Sequence, residues 1–166
     1  MDTMVDIRRL RMEELPRVEE LARRIWPECF GGLLSSEQIA AMLDAIYARE
    51  VLERDGREKG HCFWLAQVDG ADSGFVAAYR EAETLWIRKL YVLERCRGLG
   101  IGKKLIAAAR AHFCEVRSLA LNVNVANEKA IAFYRSQGFV AAERVSVTMG
   151  PYEFEDFVMR REIADK

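Results

Sequence analysis

The sequence predicts an α+β fold, in which a mixed, mostly antiparallel sheet of six to seven strands is flanked by four helices. Two patterns predict it: four segments repeat apolar residues at helical spacing, and shorter apolar segments are bounded by turn residues. Their order is strand, two helices, three-strand meander, helix, strand, helix and two strands. A chain of 166 residues has the size of one ordinary domain, so we expect residues 1–166 to form a single domain.

The first 60 residues contain one predicted strand and two predicted helices. Residues 5–10 form a short apolar and polar stretch that is typical of a strand. Acidic residues and a proline follow where the first turn of a helix tolerates them, so we predict a helix that ends near Trp26. A capping signal that begins at Ser35 predicts a second helix over residues 36–50. Residues 53–60 are charged or glycine, which predicts a solvated connection within the domain.

A three-strand meander is predicted next. Residues 62–68 and 73–80 are two apolar segments, and the dipeptide Asp69-Gly70 between them favours a hairpin turn. Residues 84–92 supply the third strand. We therefore expect these three strands to be neighbours in the sheet.

Two helices and three strands complete the predicted fold. Apolar residues at helical spacing predict helices over residues 101–113 and 126–137, and Gly138 favours the left-handed conformation that ends a helix. The strands are predicted over residues 118–123, 139–149 and 152–162, with Gly150-Pro151 between the last two.

Charge and composition exclude several classes of function. The chain carries 25 basic and 26 acidic side chains, a net charge of -1, so it has no global field that attracts nucleic acid. No apolar run approaches the roughly 20 residues that cross a bilayer. The first nine residues lack the apolar stretch of a secretory signal. We therefore expect a cytoplasmic protein that binds neither nucleic acid nor membranes.

The positions of cysteine and histidine predict no metal site. The four cysteines form no Cys-x-x-Cys pair, and the two histidines lie in unrelated segments. We expect reduced thiols and no bound metal. The residues concerned are Cys29, Cys62, Cys96, Cys114, His61 and His112.

A glycine-rich turn lies between the strand at residues 84–92 and the helix that begins at Ile101. It runs through Arg97, Gly98, Leu99, Gly100, Ile101 and Gly102, and is followed by Lys103 and Lys104. Such a connection directs unpaired backbone N–H groups into one concavity, where they bind an anion. The helix dipole disfavours the two lysines by roughly 0.3–1 kcal/mol each, and a bound polyphosphate would reverse that effect. The alternative is a tight turn beside solvated lysines.

Two other phosphate-binding loops do not fit this spacing. A Rossmann loop requires Gly-x-Gly-x-x-Gly and an acid about 20 residues later, but here the next strand ends in Asn122-Val-Asn124. A Walker loop requires Gly-x-x-x-x-Gly-Lys-Ser/Thr. Gly98 and Gly102 are one residue too close for it, and a second lysine follows Lys103.

Two motifs resemble those of the GNAT superfamily of N-acetyltransferases. The first is Arg97-x-x-Gly100-x-Gly102 after a strand that reads Leu90-Tyr91-Val92, and the second comprises Asn122-Val-Asn124, Asn127, Phe133-Tyr134 and Gly138-Phe139. The predicted order of elements is also that of the superfamily, so the resemblance covers nearly the whole chain. More narrowly, four segments resemble the PaiA type of polyamine N-acetyltransferase. They are Lys89-Leu-Tyr-Val92, Leu121-Asn-Val-Asn124, Leu34-Ser-x-Glu-Gln38 and Phe154-Glu-Asp156-Phe-Val-Met159.

The resemblance implies that acetyl-CoA is the cosubstrate and lies between two splayed strands, residues 85–92 and 118–123. It implies that main-chain groups of Leu90 and Val92 bind pantetheine. It also implies that Asn127 binds the cofactor; helix capping is an alternative role for Asn127 of equal weight, and the two roles are compatible. The implied cofactor-binding residues are Leu90, Tyr91, Val92, Arg97, Gly98, Leu99, Gly100, Ile101, Gly102, Lys103, Asn127 and Tyr134.

The resemblance also implies direct transfer without a covalent enzyme intermediate. Tyr134 matches the acid that protonates the departing thiolate, although its position on the helix also suits a core tyrosine. Some members of the superfamily have a glutamate that acts as the general base at the position of Trp86. Because this chain has a tryptophan there, the identity of its general base is undetermined. Cys96 lies between two arginines that favour a thiolate, but no histidine partner is evident for a nucleophile. The candidate bases are Glu81, Glu83, Glu153 and Asp156.

We therefore expect an acetyl-CoA-dependent N-acetyltransferase that acts on a small primary amine, with polyamines as the first candidates. The alternative acceptors are a protein N-terminus, a lysine side chain and an aminoglycoside. A different class of function is a sensor that binds coenzyme A and transfers nothing, which the presence of Tyr134 argues against. Homodimers are common in the resembled family, so a homodimer is the expected assembly if the chain is not monomeric.

Overall fold

Seven strands form one mixed sheet in the computed structural model, which describes residues 3–149 and 151–163. The strands are β1 (Val5–Arg9), β2 (Cys62–Val68), β3 (Ala71–Glu81), β4 (Thr84–Val92), β5 (Ser118–Asn124), β6 (Val140–Met149) and β7 (Tyr152–Glu162). Their order across the sheet is β1-β2-β3-β4-β5-β7-β6. Among these strands only β4 and β5 are parallel neighbours. The predicted α+β fold and its mostly antiparallel sheet are therefore confirmed.

Five α-helices flank the sheet in the described part of the chain. They are α1 (Pro16–Phe30), α2 (Ser36–Tyr47), α3 (Arg49–Lys59), α4 (Ile101–His112) and α5 (Glu128–Ser136). The four predicted helices are all present, and α1 continues past its predicted end at Trp26. Within the same residues, no helix combines the length and the apolar character that crossing a bilayer requires.

The predicted solvated connection over residues 53–60 is wrong, because most of these residues belong to α3. The predicted second helix ends early, since Ala48 has an extended ψ of 144° that separates α2 from α3. α3 is charged along most of its length but buries Leu52 and Asp55. A helix with so few apolar residues has little periodic signal, and its packing against the rest of the protein stabilises it.

The helices cover both faces of the sheet. The ring of Tyr91 on β4 lies 5.7 Å from Trp26 and 6.1 Å from Phe30, so α1 packs on this face. Trp64 points to the opposite face, where its ring lies 5.7 Å from that of His112 on α4. Tyr47 of α2 contacts the first face as well, through Phe75 at 5.8 Å between ring centroids. The core therefore consists of two apolar layers separated by the sheet.

Local turn and cap predictions are confirmed where the structure describes them. Asp69 and Gly70 both have positive φ, 50° and 83°, as a tight hairpin turn requires. Ser35 caps α2, because its Oγ accepts a hydrogen bond from the Gln38 N–H at 3.1 Å. Gly138 has φ 92° after α5. In the predicted Gly150-Pro151 turn, Gly150 lies outside the described residues.

β4 and β5 separate halfway along their length. They pair in parallel register only over residues 84–87 and 118–121. Arg88 forms a bulge in β4, because its two neighbours pair with consecutive residues of β3. Beyond this bulge, no strand pairs with the β5-facing edge of β4 in the described part of the chain. The predicted splayed pair is therefore present, and it opens a cleft in the sheet.

Candidate active site

A cleft of about 1760 Å³ begins where β4 and β5 separate. The glycine-rich turn, residues 97–102, and the start of α5 line it near the C-terminal end of β4. α1, α2, α3 and β7 line the remainder. The opening in the sheet edge and the glycine-rich turn therefore share one continuous cavity.

The glycine-rich turn has the geometry of an anion cradle. Gly98 and Gly100 have φ values of 87° and 75°, a left-handed conformation that side chains with a Cβ rarely adopt. α4 begins at Ile101, and within the described residues the backbone N–H groups of residues 98–103 find no hydrogen-bond acceptor. Consecutive free N–H groups at a helix N-terminus bind phosphate well. The geometry of the turn therefore suits a phosphate group, and its binding of the cofactor stays a prediction.

Two contacts with α1 hold this turn in place. The Nη2 atom of Arg97 donates a hydrogen bond to Sγ of Cys29 at 3.1 Å. One residue earlier on α1, Oε1 of Glu28 accepts a hydrogen bond from the N–H of Glu94 at 3.0 Å. Burial raises the pKa of the Cys29 thiol, so it stays neutral at physiological pH. The side chain of Arg97 is therefore hydrogen-bonded to α1.

The predicted cofactor-binding residues mostly line the cleft, with two exceptions. Leu99 and Lys103 lie outside its lining. Leu99 is 40% exposed and touches no apolar layer, so only its backbone suits a role in the turn. The residues that do line the cleft are Leu90, Tyr91, Val92, Arg97, Gly98, Gly100, Ile101, Gly102, Asn127 and Tyr134.

Tyr134 projects from α5 into the cleft and is 8% exposed. Its ring packs between Phe133 and Phe139, at centroid distances of 5.3 and 5.7 Å. Its hydroxyl donates to no acceptor in the described part of the chain. Burial raises the pKa of Tyr134 well above its usual value of 10, so the hydroxyl keeps its proton at neutral pH. An unengaged, protonated hydroxyl in the cleft is suited to donate a hydrogen bond or a proton.

Asn127 caps the helix that carries Tyr134. Its Oδ1 accepts a hydrogen bond from the N–H of Ala130 at 3.2 Å, which confirms the capping role. The residue also lines the cleft, so contact with the cofactor is compatible with capping. Through this cap, Asn127 fixes where α5 begins.

The sequence profile of the acetyltransferase (GNAT) domain family matches residues 59–141, which is half of the chain. The chain belongs to the GNAT acetyltransferase family. The match extends from the end of α3 to the start of β6, so it includes the glycine-rich turn and Tyr134. The protein is therefore an acetyl-CoA-dependent N-acetyltransferase, as its sequence motifs predict.

Two individual proteins are similar to this chain along nearly its whole length. A spermidine N(1)-acetyltransferase from Thermoplasma acidophilum is 26% identical over 163 residues, 95% of this chain and 96% of that protein. The crystal structure of the PaiA N-acetyltransferase from the same organism, in complex with coenzyme A, matches with a TM-score of 0.81 and 25% identity. That match covers 96% of this chain and 99% of the other. The predicted resemblance to the PaiA type is confirmed.

A third relative matches over a shorter stretch. The 5-NmdU N-acetyltransferase of Pseudomonas phage PaMx11 is 49% identical over 81 residues, which are 47% of this chain and 56% of that protein. The matched stretch therefore covers about half of each protein.

Of the four candidate bases, Glu81 and Asp156 line the cleft. Asp156 is half-buried on β7, and burial raises its pKa above the usual value. A hydrogen bond from the Asn122 side chain and the charge of Arg88 act in the opposite direction. A carboxylate with a raised pKa in the cleft is suited to accept a proton from an amine.

The remaining candidates for the general base and the nucleophile are less suited to these roles. Glu83 forms a salt bridge with Arg117 at 3.5 Å and, like Glu153, lies outside the cleft lining. Cys96 is buried in a short 3-10 helix, and neither histidine contacts it. In the residues that the structure describes, no group of three or more metal-binding side chains is placed to hold a metal ion.

Sequence reasoning missed three buried polar residues that line the cleft: Asp55 on α3, His61, and Lys89 on β4. Asp55 was missed because α3 was predicted to be a solvated connection. Lys89 offered a signal, since it interrupts the apolar strand 84–92 two residues before Tyr91 and so shares its buried face. Only the tertiary structure brings the three together.

Proposed function

We propose that this acetyltransferase moves the acetyl group of acetyl-CoA directly onto the primary amine of a small molecule. The observation that carries the proposal is the continuous cleft, in which the anion-binding turn, the free edge of β4, Tyr134 and Asp156 are all accessible. Because both substrates would occupy one cavity, the amine and the thioester can meet without a covalent enzyme intermediate.

In this proposal, main-chain groups on the free edge of β4 bind pantetheine and the thioester carbonyl. The edge is available because β5 no longer pairs with β4 beyond Ile87. An N–H group directed at the carbonyl oxygen stabilises the negative charge that develops as the amine attacks. The β4 residues concerned are Leu90, Tyr91 and Val92.

Tyr134 acts as the general acid and Asp156 as the general base. The carboxylate of Asp156 accepts a proton from the ammonium group, and the amine nitrogen then bonds to the acetyl carbon. The carbon–sulfur bond breaks, and the Tyr134 hydroxyl protonates the departing thiolate. The nitrogen loses its second proton to the Tyr134 phenolate, which leaves a neutral amide and restores the hydroxyl. Burial raises the pKa of Tyr91, and Tyr134 and Asp156 raise it further. Both proposed residues therefore lie near the Tyr91 side chain, which supports this assignment.

Polyamines are supported as acceptors by the similarity to a spermidine N(1)-acetyltransferase along nearly the whole chain. Protein N-termini, lysine side chains and aminoglycosides are the alternative acceptors. A cytoplasmic location and a homodimer stay predictions.

The release of free thiol from acetyl-CoA tests the proposal, with spermidine, a lysine peptide, an aminoglycoside and propylamine as acceptors. We expect at least one amine to accelerate thiol release well above hydrolysis, with the N-acetylated product identified by mass spectrometry. If coenzyme A binds but no amine accelerates release, the chain functions as a sensor and the proposal is wrong.

A further inference from the structure

A cluster of buried polar side chains lines the cleft where α3 meets β4, and the proposed acetyl transfer does not use it. It consists of Asp55, His61 and Lys89, which are 6%, 9% and 7% exposed. The backbone N–H of His61 donates to the carbonyl oxygen of Asp55 at 3.1 Å, which ties the strand that follows to α3. Buried polar groups of this kind are normally hydrogen-bonded within the protein.

Cations outnumber acids around this cluster. The carboxylate of Asp55 is shared by Nζ of Lys89 at 3.6 Å and Nζ of Lys59 at 3.7 Å. Arg54 and Arg88 also line the cleft, and neither forms a salt bridge with any described residue. The charges that act on the His61 ring are those of three cations, Lys89, Arg88 and Lys59, and of one carboxylate, that of Asp55, so positive charge is in excess around this ring.

His61 leaves one buried atom without a partner. Its ring stacks on Tyr79 at 4.9 Å with an interplanar angle of 3°, and its Nδ1 forms no hydrogen bond in the described part of the chain. Burial and the charge of Lys89 lower the pKa of His61 to about 4, so the ring is neutral at physiological pH. A neutral imidazole has one N–H donor. Because Nδ1 itself is closed to solvent, the nitrogen that can donate to a bound acceptor is Nε2.

Arg88 connects the cluster to the reaction centre. Arg88 lines the cleft together with Asp156, His61 and Lys89, and its charge acts on all three, so it lies near both the proposed base and the cluster. An amine positioned at Asp156 would therefore direct its other end towards Arg88 and Lys89.

We propose that Arg88, Lys89 and His61 form an acceptor subsite that binds an oxyanion, a carboxylate or a phosphate, carried by the amine substrate. The inference rests on the proposed acetyl transfer to an amine. It narrows the acceptor class to acidic amines and so argues against the polyamines that the similarity to a spermidine N(1)-acetyltransferase supports. A polyamine would place a second ammonium group among these cations, and like charges at a binding site oppose association. An oxyanion would accept hydrogen bonds from all three side chains and balance the excess charge.

Matched acceptors test the subsite. β-Alanine is compared with propylamine, O-phosphoethanolamine with ethanolamine, and all four with spermidine, by kcat/KM at low and high salt. We expect at least one acidic amine to exceed its neutral match and spermidine by tenfold or more, with a preference that decreases as salt screens the subsite. The better acidic amine tells whether carboxylate or phosphate is bound. If spermidine or a neutral amine is the best acceptor, the proposed subsite is refuted and the proposed acetyl transfer is retained. If no amine reacts, both proposals are refuted.

Variants separate binding of the oxyanion from a structural role. Arg88→Gln, at an exposed position, and Lys89→Met should each lower the ratio of kcat/KM for the acidic amine to that for its neutral match by about tenfold. Arg110→Gln removes one positive charge from α4, outside the cleft, and should leave that ratio unchanged. Equal losses for both amines in Arg88→Gln would indicate a structural or general role and overturn the inference.

Discussion

Gly102 of the glycine-rich turn and Phe133 of α5 are in such close contact that a Cβ atom at position 102 would lie 2.9 Å from Cζ of Phe133. The ring of Phe133 in turn lies 5.3 Å from that of Tyr134. The glycine-rich turn is therefore in contact, through one aromatic ring, with the helix that carries the proposed acid. A change at position 102 should affect both the cofactor and Tyr134.

Gly102→Ala should weaken binding of coenzyme A and reduce kcat. The new methyl group displaces the Phe133 ring, and the displacement reaches Tyr134. We expect each effect to be about tenfold, or ~1.4 kcal/mol, measured by calorimetry and steady-state kinetics. The double variant Gly102→Ala/Phe133→Leu makes room for the methyl group and should recover part of both losses. Full activity in the single variant would contradict this coupling.

Tyr134→Phe should reduce kcat by roughly 10²-fold or more, because a positioned acid contributes about 10²–10⁴-fold to a reaction. Affinity for coenzyme A should change little, since the ring still packs against Phe133 and Phe139. Tyr152→Phe removes a hydroxyl outside the cleft and serves as the control. An unchanged kcat in Tyr134→Phe would refute the assignment of the acid.

Asp156→Asn should remove the acid limb of the pH profile of kcat/KM. The carboxylate accepts a proton only when ionised, so activity is lost as pH falls through its pKa. Burial raises that pKa above the usual 3.8, which places the limb at higher pH than for an exposed aspartate. The variant should be slower by roughly 10²-fold or more, whereas Asp156→Glu should keep the limb. A variant that keeps both the wild-type rate and the limb would identify a different base, with Glu81 next in order.

The His61 ring should make the fold sensitive to mild acid. Its pKa is lowered from 6.5 to about 4 in the folded state, so between these values only the unfolded chain binds the proton and stability falls as pH falls. From pH 6.5 to pH 5 the wild type should lose up to about 1.5 kcal/mol more free energy of unfolding than His61→Phe. Urea denaturation at the two pH values measures the difference. Equal losses in both proteins would mean that His61 is protonated in the folded state.

Features that depend on neighbouring residues were predictable from the sequence. The bounds of β2, β4 and β7 agree with the predictions because apolar segments and turn residues mark them locally. The φ values of Gly98 and Gly100 agree with their place in a motif whose glycines permit a tight turn before a helix. α3 was not predictable in this way, since its burial comes from contacts with distant elements and not from its own periodicity.

The sequence by itself determined the fold class, the glycine-rich turn and the family, because each depends on residue types at short, regular spacing. Only the tertiary structure decided which of the candidate carboxylates line the cleft with Tyr134 and which charges surround the acceptor end. Asp55, His61 and Lys89 come from a helix, a connection and a central strand, and sheet pairing and helix packing bring them together. Such proximity arises from the balance of burial over the whole chain, which leaves no local pattern in the sequence.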